Sequence, residues 1–256
     1  VPARTRTEAQ RPLEWLLERP LVARILAGRP VAGPGVDDAV RVAGEVVAGG
    51  RPVALEHAPT PGESATAELI GLLGRVHAAG LARSCEVTLP VDRLGVAGAQ
   101  TCARSAAEAG IGVVLAGPAD VVRRLPRTAV VVPAGDPDAE ARCRESASLR
   151  VRLVQGRGAA ADLSYVRCLN VLMAADGYPE VAATDPRLIA IAGERAAWNG
   201  RAPDSWEHVM PYGIRTDEQR RLTAAGYTVR VAVASGHAPV LDGGLPAVLR
   251  RLGARS

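Results

Sequence analysis

The chain has 256 residues, 48% of them hydrophobic, a length that one large core fits better than two small domains. Its formal charge is +4, yet all 31 residues counted as Lys+Arg are arginine, no Phe occurs, and aromatic residues make up 3%. The absence of lysine excludes Schiff-base enzymes, P-loop NTPases and lysine general bases, because arginine stays protonated and cannot replace the amine.

The arginines are spread along the chain and alternate with Asp and Glu on predicted helix faces. That pattern reads as solvated helix surface, not as a basic groove with interleaved aromatics, so no nucleic-acid partner is expected. Cys85, Cys102, Cys143 and Cys168 show neither CxxC spacing nor a histidine at ligand spacing. They read as structural thiols of a reducing cytoplasm, without zinc or disulfides. The first residues, "VPARTRTEAQRP", are polar and basic, and no long apolar run follows. A soluble cytoplasmic protein with no secretory signal and no transmembrane segment is expected.

In chain order, "PLEWLLERPLVARILAGR" places Leu13, Leu16, Leu17, Val22, Ile25 and Leu26 at near-helical spacing, interrupted by Pro20. An N-terminal helical arm over 1–36 is expected, closed by "PVAGPG". Predicted helices and short apolar strands then alternate. A helix over 37–48 precedes "VALEH" (53–57), one over 63–79 precedes "EVTLP" (86–90), and one over 97–109 precedes "GVVLA" (112–116). A short helix over 118–124 leads to "AVVVP" (129–133), one over 137–147 to "VRLVQG" (151–156), and one over 161–176 to "EVAAT" (180–184). Helices over 186–198 and 216–225 precede "WEHVM" (206–210) and "TVRVAV" (228–233), and a last helix is predicted over 244–253. The Val-rich strands are nearly continuous, as strands buried on both faces should be. The reading is an α/β chain whose residues 37–256 form a (β/α)8 TIM-like barrel; an open doubly wound sheet is the alternative, weakened because no GxGxxG follows the first strand. In a barrel the functional residues are those just after each strand.

At those positions "VALEHAP", "VRLVQG", "YPEVAATDPRLI", "WEHVMPYGIR", "AAGYTVRVAVASG" and "LRRLGARS" occur in an order and spacing that resemble the proline dehydrogenase family. The resemblance covers about residues 37–256 and is most specific over 150–236. It implies a barrel that binds FAD at its mouth and transfers a hydride from proline to the flavin. "RLVQGRG" is similar to the family's R-L-V-K-G-A-Y. This implies that Arg152 lies beside the flavin, that Gln155 replaces the flavin-binding lysine, and that Gly156 admits close backbone approach. Arg152 also reads as a barrel-interior arginine paired with a carboxylate. In "AATDPRLI", Thr184 stands where the family has histidine, and Asp185 persists. Independently, Asp185 before Pro186 is an ordinary helix N-cap.

"WEHVMPYGIR" keeps Glu207, Met210, Tyr212, Gly213, Ile214 and Arg215 of the family pattern, while Val209 replaces a glutamine. The resemblance implies catalytic roles for Arg152, Glu207 and Tyr212, and cofactor contacts by Arg152, Gln155, Gly156, Thr184 and Asp185. It also implies that Arg250 and Arg251 grip a small amino- or imino-acid carboxylate, a task suited to bidentate guanidinium, with Thr88 at the place of a substrate-side lysine. Arg250 and Arg251 read equally as a solvated helix face. Leu115, Gly117, Pro133 and Ala232 stand where the family carries acidic, glutamine and tyrosine side chains. His208, between Val and Met, reads as a satisfied core histidine, and His57 as a residue of the mouth.

Two functions follow. One is a divergent FAD-dependent oxidoreductase acting on proline or a related amino or imino acid, with an electron acceptor the sequence does not name. The other is a non-catalytic barrel of the same ancestry, acting as a binding or regulatory subunit. No metal site is expected, because four histidines without HxH or HExxH spacing give an ion little to hold.

Overall fold

In the computed structural model, residues 31–60, 62, 64–126 and 129–236 are described. Residues 1–30 of the predicted arm (1–36), the last helix, and Arg250 and Arg251 lie outside them.

Eight parallel strands close into a barrel in the order of the sequence. They are β1 (Val53–Ala58), β2 (Cys85–Pro90), β3 (Gly112–Ala116), β4 (Ala129–Pro133), β5 (Arg150–Val154), β6 (Tyr178–Ala182), β7 (Glu207–Pro211) and β8 (Val229–Gly236). The helices are α1 (Val36–Ala48), which precedes β1, then α2 (Ser64–Ala78), α3 (Val91–Glu108), α4 (Ala119–Val122), α5 (Ala139–Glu145), α6 (Ala159–Ala174), α7 (Pro186–Trp198) and α8 (Thr216–Ala224), each following one strand. Closure rules out the open sheet: β1 pairs with β8 from Val53 opposite Val231 to Ala58 opposite Gly236.

Local chemistry sets the helix starts. Asp185 accepts a hydrogen bond from Arg187 N at 2.8 Å, and Pro186 occupies the first helical position of α7. Asp37 and Asp38 open α1, and Asp217 and Glu218 open α8, where carboxylates suit the positive end of the helix dipole. α3 begins earlier than its apolar spacing predicts, because a first turn from Val91 is joined across Gly95 (φ 64, ψ 174) to the main helix. β8 runs three residues past its predicted end, since Ala234, Ser235 and Gly236 continue the ladder with β1. Gly236 has φ 90, and a Cβ there would collide with the Ala58 carbonyl.

Alternation along the strands divides the core in two. One set of residues, including Leu55, Val87, Leu153 and Val233, packs outward against the helices. The other set points into the barrel, where Val114, Ala116, Ala129, Val131 and Val154 form one cluster and Ala54, Val209 and Ala232 another. No helix among the described residues is long and apolar enough to cross a membrane.

Candidate functional site

The N-terminal half of the barrel interior is charged. Arg152 has no exposed surface. Its Nε donates to Glu180 at 2.6 Å, its Nη1 donates to Thr88 Oγ1 at 3.0 Å and lies 3.7 Å from Glu56, and its Nη2 pairs with Glu86. One layer below, Arg150 pairs with Glu86 and Glu207, both at 2.9 Å, and with Glu180. Arg230 donates to Glu207 from Nε at 2.6 Å. Burial pushes the Glu180 carboxyl upward, but the guanidiniums of Arg152, Arg150 and Arg230 outweigh it and hold the group below its ordinary value. Burial of Tyr178, with Glu207 adding to it, raises the phenol to about 12.

Glu86, Glu180 and Glu207 each offer an oxygen within 4.8 Å of the others, the spacing of a metal site. Each is already engaged by arginine, so guanidinium charge fills the place an ion would need. The cluster is a salt network.

Above it the interior becomes apolar and small. Ala116, Val154, Ala182, Val209 and Ala232 face inward near the C-terminal strand ends, where barrels carry their chemistry. Several predicted site residues meet at the rim. Gln155 N donates to Ala182 O at 2.9 Å, and its Oε1 accepts from Thr184 N at 3.0 Å and from Asp185 N at 3.2 Å. One side chain thus ties β5 to the β6–α7 loop. Gly156 is required by packing: a Cβ would lie 2.6 Å from Ala161 Cβ and 3.1 Å from Gly135 N. Hydrogen bonds from the Arg187 side chain and backbone hold Asp185 at about 2, so it is ionised at any working pH. Tyr212 N donates to Ala232 O at 2.9 Å and the residue is half-buried.

The other predicted site residues lie apart. Thr88 is inside the barrel, bonded to Arg152. Glu207 begins β7, at the opposite end of the strand from Tyr212. Arg215 is exposed and takes the left-handed conformation (φ 49) before α8.

The two strand histidines face the helices. His57 is fully buried between Ser235 Oγ (2.8 Å, to Nδ1) and Glu68 Oε1 (2.7 Å, to Nε2), and Glu68 Oε2 also accepts from Thr60 N at 2.9 Å. The expectation of a mouth residue is corrected: His57 alternates with the inward Glu56 and so points under α2. Ser235, His57 and Glu68 have the connectivity of a hydrolase triad, but Ser235 is 1% exposed and unavailable to a substrate. His208 is in the core as expected, against Trp206 and Tyr227, with ring centroids at 4.7 and 5.7 Å. It is not satisfied, however: among the described residues Nδ1 lacks a hydrogen-bond partner, and burial lowers its pKa to about 4.

Sequence reasoning passed over Glu86, Glu180, Arg150 and Arg230. The available signal was charge at alternate positions of otherwise apolar strands, as in Arg150 and Arg152, which marks an inward face.

The fold and site therefore define a closed (β/α)8 barrel with a salt-bridged interior and a small-residue mouth. The comparisons bear out the resemblance to proline dehydrogenase. The chain is 37% identical over 75 residues to the proline dehydrogenase of Deinococcus radiodurans, covering 29% of this chain and 24% of that protein. Its fold is similar to proline utilization A from Bdellovibrio bacteriovorus inactivated by N-propargylglycine (TM-score 0.69, 15% identity, 90% of this chain and 32% of that one). It is also similar to a mutant of proline utilization A from Bradyrhizobium japonicum (TM-score 0.61, 13% identity, 85% and 30%). The chain thus spans about a third of the length of these larger structures. No family model matches.

Proposed function

We propose that the chain is a divergent flavoprotein oxidoreductase of proline dehydrogenase type, oxidising proline or a related amino or imino acid. The observation that carries this reading is the 37% identity over 75 residues to a proline dehydrogenase, in a chain folded as a closed barrel.

The mouth suits an isoalloxazine ring in two respects. The inward Ala116, Val154, Ala182, Val209 and Ala232 give it an apolar lining of small side chains, and Gln155 stands at the rim, where it ties β5 to the β6–α7 loop. Gln155, Gly156, Thr184 and Asp185 would hold the FAD, which when bound supplies a hydride acceptor. The chain's own part is to orient and to exclude water. The apolar floor keeps solvent from the reacting carbon, and Arg250 and Arg251 are assigned the substrate carboxylate, with Tyr212 beside the mouth. Arg152, Glu207 and Thr88 enter this reading from below, as interior groups that brace the strands carrying the floor.

One observation favours the non-catalytic alternative. Arg152 has no exposed surface and is bonded to Glu180, Thr88 and Glu86, so reaching a ligand would require breaking these contacts. Anaerobic titration of FAD-loaded protein with a panel of amino and imino acids decides between the two: bleaching of the flavin by proline or a relative supports the oxidoreductase, and no bleaching by any member supports the binding subunit.

A further inference from the structure

Two of the four cysteines are neighbours. Cys143 on α5 and Cys168 on α6 have no exposed surface, belong to the same cluster of touching buried side chains, and lie on consecutive helices packed against each other. Their thiols hydrogen-bond: Cys143 donates to the Cys168 sulfur, which favours the Cys168 thiolate, with Ser164 adding to it, and pushes the Cys143 thiol up. Tyr165, one turn before Cys168 on α6, is fully buried and close enough to both sulfurs to feel their charge. Its hydroxyl has no hydrogen-bond partner among the described residues, so a donor stands ready for an oxygen added to sulfur. The other two thiols differ. Burial pushes Cys85 and Cys102 up to about 11, and Cys102 donates to the Thr66 carbonyl at 3.9 Å.

We propose that Cys143 and Cys168 are a redox-active pair, oxidised by hydrogen peroxide to a disulfide that staples α5 to α6 and reduced again by a dithiol. The Cys168 sulfur attacks one peroxide oxygen, the O–O bond breaks, and the departing hydroxide takes the proton shed by Cys168 to leave as water. The Cys143 sulfur then attacks the Cys168 sulfenic acid: the S–S bond forms, the S–O bond breaks, and the Cys143 proton leaves with that oxygen as a second water. The two thiols thus lose two electrons and one peroxide gains them. Access comes through α5, which has seven residues and a cleft along it lined by Val122, Val132, Arg142 and Ser146. So short a helix with an open flank unfolds locally while the barrel stays closed, which admits a small oxidant. The pair needs no flavin and stands apart from the reading above.

The test treats the folded full chain with hydrogen peroxide, blocks remaining thiols with an alkylating agent, and maps the digested peptides by mass. The expected product is a peptide pair joined through Cys143 and Cys168, lighter by two hydrogen atoms, with Cys85 and Cys102 still alkylated. Closing a loop of about 25 residues should raise the melting temperature by about 5–10 °C, and dithiothreitol should reverse the rise. In Cys143→Ser, Cys168 should stop at the sulfenic acid and be labelled by dimedone, whereas Cys143 in Cys168→Ser should take up several-fold less label. No joined peptide, one formed only in urea, or one through Cys85 or Cys102 would overturn the pair. Stronger labelling of Cys143 than of Cys168 would overturn the assignment of the attacking sulfur, and a joined peptide with an unchanged melting temperature would overturn the staple. Peptide mapping of the unaltered chain decides the pair even where a variant does not fold.

Discussion

Arg152 on β5 and Glu180 on β6 meet inside the closed barrel at 2.6 Å, Nε to Oε2, with no exposed surface on either side chain. The pair is the centre of a network in which Arg150 and Arg230 reach the same carboxylates from below. Taking such charges out of water costs several kcal/mol per ion, which attraction offsets only while every partner is present. Arg152→Met should therefore destabilise the fold by about 3–5 kcal/mol, leaving Glu180 and Glu86 short of counter-charge. Adding Glu180→Gln to Arg152→Met should recover part of the loss. Urea unfolding of the two variants measures both effects; a double variant no more stable than the single one would contradict a coupled network.

His208 gives a pH dependence with a definite sign. Its folded value, about 4, lies below the ordinary 6.5, so the unfolded chain binds the proton more readily. Stability on this account is fully present above pH 6.5 and drains as the pH falls toward 4, by an amount of order 3 kcal/mol. His208→Phe should flatten that slope. Unfolding free energies at several pH values between these limits check it, and an unchanged slope would assign the acid sensitivity elsewhere, Glu180 being the next candidate as the pH falls below its ordinary value of 4.5.

Gly156→Ala should lower stability by about 1–3 kcal/mol, the usual range for forcing a methyl group into a packed site. The atoms it would meet, Ala161 Cβ and Gly135 N, belong to a short side chain and to backbone, neither of which can swing aside. A thermal melt tests the size of the loss, and a variant as stable as the parent would show that the turn after β5 can relax.

Removing the imidazole between Ser235 and Glu68 should also be costly. His57→Ala leaves both without that partner beneath α2, at about 1–3 kcal/mol for each group that stays buried and unpaired. His57→Gln, which can still meet one neighbour, should recover part of this. Equal stability of the two variants would show that the bonds, as distinct from the bulk of the ring, contribute nothing.

Much of this architecture was legible from residue order. "AVVVP" and "GVVLA" are buried on both faces, and that is why they lack the alternation of a half-exposed strand. Asp185 before Pro186 marked the start of α7 to the residue. What was hidden depends on closure. Arg152 meets Glu86 across the barrel, 66 residues away, and His57 meets Ser235, 178 residues away, through the contact of the first strand with the last. The motif comparison assigned Arg152, Glu207, Tyr212 and Thr88 to one site, because motif order carries no height along a strand; the structure puts Arg152, Glu207 and Thr88 inside the barrel and Tyr212 at its rim. Gln155 was legible as a rim residue, but not the direction of its amide, which is set by two backbone groups of another loop.

The central claim is that the mouth holds a flavin, and the most direct measurement is the visible absorption spectrum of the protein after incubation with excess FAD and removal of the unbound cofactor. The account predicts a retained flavin band. A spectrum with no flavin band after desalting would contradict it and leave the barrel as a binding subunit.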